Sequence, residues 1–122
     1  LALLVHGFSH ANHAPAGEKK AEFAAGRPLD ALRDDAARGL AAMRHLFGAR
    51  ALPVFVPPWN RMAPDLAAAL PGLGYTGLSA FAGPAVEADG IRRIDTHADP
   101  VAWRGGRGLA DLETFLSDLA AR

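Results

Sequence analysis

The chain has 122 residues, half of them hydrophobic, and its 13 basic and 13 acidic side chains balance. That length suits one domain with a modest core, and the balance leaves no electrostatic footprint for nucleic acid or an anionic membrane surface. There is no cysteine, which excludes disulfides and thiolate metal sites, so any metal must be held by nitrogen and oxygen ligands.

The chain opens on Leu1-Ala2-Leu3-Leu4-Val5, an apolar run of the buried-strand type. It is far too short for a signal-peptide core or a membrane span. It begins as if in mid-strand and without an initiator methionine, so residues 1–122 read as a single fragment of a domain lacking its N-terminal strands. No targeting or transmembrane segment is legible, and nothing specifies a compartment or an oligomeric state.

Three of the five histidines follow at once, within Val5-His6-Gly7-Phe8-Ser9-His10-Ala11-Asn12-His13. One continuous helix would put all three on one face, but Gly7, Asn12 and Pro15 oppose a helix here. The expectation is therefore His6 as the last inward residue of the strand and His10 on the loop or short helix after it. Imidazole is the commonest side-chain metal ligand, which makes His6 and His10 candidate metal ligands. Surface histidines in a polar loop are the alternative.

Residues 14–28 are polar, rich in alanine and glycine, and bounded by prolines, and read as a long loop with room for one helical turn around Glu18–Ala24. Glu18 and Glu22 lie within reach of a metal, yet solvated loop charges are the plainer expectation. An amphipathic helix follows, with Leu29, Leu32, Ala36, Leu40, Met43 and Phe47 at steps of three and four and Asp30, Arg33, Asp34 and Arg44 opposite. Pro28 suits its first turn and Gly48 its end. His45 falls in the last turn, where a cation complements the helix dipole.

Ala51-Leu52-Pro53-Val54-Phe55-Val56 reads as a second strand, ending in the stiff turn Pro57-Pro58-Trp59-Asn60-Arg61. Residues 64–70 form a short helix stopped by Pro71-Gly72. Residues 77–81 read as a third strand, 83–90 as a loop, and 91–96 as a fourth strand leading to His97. Asp99-Pro100 and residues 104–108 read as turns, before a final helix with Leu109, Leu112, Leu116 and Leu119 on one face. This order predicts an α/β fold with a mainly parallel sheet. His6, Pro57–Trp59 and His97 then each lie just past the carboxyl end of a strand, where sites of parallel α/β folds gather.

The motif His6-Gly7-Phe8-Ser9-His10 resembles the second motif of the polysaccharide deacetylase family (carbohydrate esterase family 4, the chitooligosaccharide deacetylase homology domain). Phe55-Val56-Pro57-Pro58-Trp59-Asn60 resembles the third motif, and the helix end Leu46-Phe47-Gly48 before it also fits. Ile94-Asp95-Thr96-His97 resembles the segment carrying the late family histidine. The resemblance spans roughly residues 1–100. It implies a partial (β/α) barrel, a divalent metal, usually zinc, on His6 and His10, and His97 as the general acid. Pro58, Trp59 and Asn60 would contact an N-acetylated carbohydrate or another N-acylated small substrate. A core role for Trp59, and a turn histidine bonded to Asp95 or Asp99 for His97, are the alternatives.

Three positions depart from the family pattern. Val56 stands for the motif arginine, Asn60 for a glycine, and Asp95 for a leucine. The family's aspartates, the third metal ligand among them, belong to an earlier strand that this sequence does not contain. These departures admit a hydrolase of a different amide, or a carbohydrate-binding relative without catalysis.

Overall fold

A computed structural model describes residues 1–81, 89–96, 99–102 and 108–121. Strands β1 (Leu3–Val5), β2 (Ala51–Phe55), β3 (Gly77–Leu78) and β4 (Arg92–Arg93) form one four-stranded parallel sheet in the order β1-β2-β3-β4. A parallel bridge between Phe81 and Thr96 continues the β3–β4 pairing beyond the strands themselves. The mixed α/β class and the mainly parallel sheet follow the expectation. The strands are shorter than the segments expected for them.

Helix α1 (Leu29–Phe47) covers the sheet as its spacing dictates. Leu32, Ala36, Gly39 and Leu40 are buried, and Arg33 and Arg38 form exposed pairs with Asp30 and Asp34 on the outer face. Such exposed pairs contribute little; the apolar stripe holds the helix in place. Gly39 is required by proximity, because a Cβ there would sit 2.6 Å from the Gly7 carbonyl oxygen. Helix α1 thus packs directly beneath the turn that follows β1.

The core joins Val5, Leu32, Leu40, Phe55 and Leu78 to Leu66 of helix α2 (Pro64–Ala69) and to Leu70. Phe23 and Tyr75 meet the Phe55 ring edge-on, with centroids at 5.0 and 5.4 Å, the geometry favoured by the ring quadrupoles. Pro53 is tolerated within β2 because its carbonyl accepts from Thr76 N (2.8 Å), just before the first paired residue of β3. Its missing N–H therefore falls where no partner strand has begun.

Tyr75, the chain's single tyrosine, is buried and donates its hydroxyl to the Ala36 carbonyl at 2.8 Å. Burial pushes its phenol well above the ordinary value, and the charge of Arg44 offsets this only in part. Above about pH 10 an unfolded chain releases that proton while the folded one keeps it. The tyrosine's stabilising share is thus complete below about pH 10 and falls by about 1.4 kcal/mol per pH unit above it. In an alkaline titration, phenolate absorbance should appear together with unfolding rather than before it. Tyr75→Phe should show a flatter decline of stability over the same range.

Several local expectations are corrected. Residues 14–28 contain no helical turn; Pro15, Gly17 and Gly26 keep the segment in turns. Leu109 belongs to β6 (Gly108–Leu109), which pairs antiparallel with β5 (Val101–Ala102) in a separate two-stranded sheet, and not to the last helix. Helix α3 (Leu112–Ala120) is capped by Asp111, which accepts from Thr114 N, while Leu112, Leu116 and Leu119 stay largely exposed. The loop expected at 83–90 and the turn expected at 104–108 lie mostly outside the described residues. Among the described residues no helix is long and apolar enough to cross a membrane.

Candidate functional site

Strand β1 delivers Val5 to the core, and its carbonyl accepts from Val56 N at 2.8 Å. The next residue, His6, is exposed, a correction to the inward position expected of it. Its ring is nevertheless fixed, because Nδ1 lies 3.0 Å from the Val56 carbonyl oxygen. A carbonyl can only accept, so Nδ1 carries a proton, and in the neutral ring Nε2 carries the available lone pair. This second hydrogen bond is the usual way of orienting a metal-binding histidine.

The chain then reverses at Gly7, with φ at +68°. His10 takes φ +56°, and Trp59 and Asn60, on the short 3₁₀ turn after β2, take +55° and +56°. Left-handed backbone costs a non-glycine residue about 1–2 kcal/mol, and such residues concentrate at functional sites. Here they bring rings together. The His10 ring lies 4.2 Å from the Trp59 ring, centroid to centroid, and 5.2 Å from that of His6. Trp59 is half-buried against His10, so it is not a core tryptophan, whereas Pro58 beside it is buried.

Glu22 overturns the expectation of a solvated loop charge, for it is fully buried. Its carboxylate accepts from Ser9 N (2.6 Å), Ser9 Oγ (3.0 Å) and Phe8 N (3.2 Å), all on the turn between the two histidines. The apolar neighbours Ala21, Phe23 and Ala24, all buried, were the signal in the sequence that residue 22 lies inside. Glu18, by contrast, is exposed.

His13 and His45 are both exposed and stand apart from this cluster, one on the loop and one at the end of α1. His97 lies outside the described residues. Asp95, two residues before it, accepts from Ala80 N (3.1 Å) and from Arg93 Nε (2.6 Å), which ties β4 to the end of β3. A cleft of about 710 Å³ opens beyond the carboxyl ends of β2, β3 and β4, with Lys19, Phe23, Asn60, Arg61, Phe81 and Arg93 in its wall. Asn60 therefore faces the cleft, while its neighbour Trp59 meets His10.

Two imidazoles suit a divalent metal as half of a ligand set. Among the described residues, no group of three histidine, aspartate or glutamate side chains converges as a complete one. Comparison with protein-family models, with curated proteins and with solved structures gave no match.

Proposed function

We propose that this chain carries part of the site of a metal-dependent amide hydrolase of the polysaccharide deacetylase type, at the rim of a partial (β/α) barrel. Its substrate would be an N-acetylated carbohydrate. The observation that carries this reading is the His6–His10 pair, with the His6 proton directed to the Val56 carbonyl and Nε2 left for a ligand. The two nitrogens would hold a divalent metal, zinc before others. When bound, such a metal polarises the acyl oxygen and makes its water acidic.

The chain's own residues do the rest. The Val56 carbonyl holds His6 in one tautomer. Trp59 covers one side of the His10 ring. Asn60 presents a carboxamide to the cleft, suited to the hydroxyl and acyl groups of a sugar. His97 would give its proton to the departing amine. Val56, at the place of the family's motif arginine, favours a second reading, in which the site takes another amide or binds carbohydrate without cleaving it.

Zinc titration followed by calorimetry tests the pair. The wild type should bind weakly for zinc, since such sites normally use three or four protein ligands. His6→Ala and His10→Ala should abolish that binding, and His13→Ala should keep it. Equal binding by all four proteins would remove His6 and His10 from the site.

A further inference from the structure

We propose that Glu22 is a positioning residue for His10, the buried carboxylate that sets the His6–His10 turn and so keeps the His10 imidazole against Trp59. Its functional meaning rests on the reading of His10 as a site residue.

A buried carboxylate is costly unless donors compensate it. The ion pairs of the described residues do not include Glu22. Its compensation comes from two backbone N–H groups and one hydroxyl of Phe8 and Ser9. These converge on one carboxylate because the chain has reversed at Gly7, where φ is positive and the missing Cβ leaves room for Glu22 Oε2. The carboxylate and the turn therefore specify each other, as an anion specifies a nest of backbone donors.

The constraint reaches His10 from both sides. Ser9 Oγ donates to Glu22 and accepts from Ala11 N at 3.3 Å, so residues 9 and 11 are fixed and residue 10 is held between them. Phe8 is fixed as well, since the Arg38 guanidinium of α1 lies 4.3 Å above its ring. Between these clamps His10 takes φ +56° and meets Trp59.

Glu22 itself cannot drift. Its carbonyl accepts from Arg27 Nη1 at 3.0 Å, and Arg27 Nη2 pairs at 2.8 Å with Asp35 on α1. Ala21 N donates to Asn12 Oδ1 on one side. On the other, the Phe23 carbonyl accepts from Ala63 N beside the Phe23–Met62 bridge. The position of His10 is thus referred, through one carboxylate, to α1 and the core.

The test reads the His10 ring directly, without metal. In wild type the ring protons of His10 should be displaced by the Trp59 ring current, with nuclear Overhauser contacts between the two rings. Glu22→Leu keeps most of the volume and removes both acceptor oxygens, so Phe8 N, Ser9 N and Ser9 Oγ lose their partner. With core methyl signals unchanged, it should lose both the ring contacts and the displacement, approaching the spectrum of Trp59→Ala. Zinc affinity, where present, should fall by about 10–100-fold, as for other residues that orient ligands. An unchanged His10 signal in folded Glu22→Leu overturns the proposal. Should that variant fail to fold, Ser9→Ala decides, removing the hydroxyl that joins Glu22 to Ala11 N; unshifted His10 signals there overturn the proposal too. A protein that binds no zinc but loses the His10 contacts in Glu22→Leu sinks the metal reading and keeps this one.

Discussion

Gly7→Ala is expected to destabilise the chain by several kcal/mol and to dismantle the turn that carries both histidines. Two costs add. A non-glycine residue at φ +68° pays about 1–2 kcal/mol for the left-handed backbone. The new Cβ would also collide with Glu22 Oε2 and approach the Pro58 ring to 2.6 and 2.8 Å. Neither neighbour can yield cheaply, since both are buried. Overpacking of this kind costs about 1–3 kcal/mol. Moving Glu22 aside would also sacrifice charge-assisted hydrogen bonds worth about 1.5–3 kcal/mol each. Against a domain stability of about 5–15 kcal/mol, the sum is a large fraction. Gly17→Ala is the control, because Gly17 has φ +87° but nothing within 4 Å of its added Cβ. It should show the backbone cost alone. Urea denaturation compares the two: the midpoint should fall far more for Gly7→Ala. Equal midpoints would mean that Glu22 and Pro58 do not crowd Gly7.

In the proposed enzyme, His97→Ala should lower kcat on an N-acetylated oligosaccharide by about 10²–10⁴-fold, the usual contribution of a general acid. That corresponds to about 3–5 kcal/mol of barrier. The argument for His97 is its place in the chain. The residue before it, Thr96, pairs in parallel with Phe81, and Phe81 lines the cleft that also receives Asn60 and Arg93. His13 and His45 have no such placement, and His13→Ala should lose far less activity. Zinc content should not change in His97→Ala. Retained kcat would remove His97 from the chemistry, and loss of the metal would make it a ligand.

The fold was legible where burial is periodic. Helix α1 declared itself because one side of nineteen residues faces the core, and three- and four-residue spacing records that fact. Strands β1 and β2 were legible as apolar runs, but their paired lengths were not, since pairing depends on a neighbour that the local sequence does not contain. The β5–β6 pair is not legible for that reason: two residues per strand carry no period, and the leucine spacing places Leu109 with the last helix.

The site was legible in its histidines and not in what holds them. His6 and His10 stand out by type and spacing. The left-handed turns at His10 and Trp59 have no local signature, because neither residue is glycine or asparagine. Glu22 was misjudged by the general rule that charged loop residues are solvated. The exception arises thirteen residues away, at Ser9, whose N–H and hydroxyl accompany the Phe8 N–H in replacing water around the carboxylate.

The order of the sheet, β1-β2-β3-β4, is also the order of the chain, and this bears on how the molecule assembles. Among the described residues, no strand of this sheet has to insert between two that are already paired. The longest closure within this sheet is the return of β2 to β1 across the segment containing α1. After that, β3 adds to the free edge of β2, and β4 to the free edge of β3. Synthesis proceeds from the amino end, so this order would let each completed strand offer its free edge to the next one to emerge.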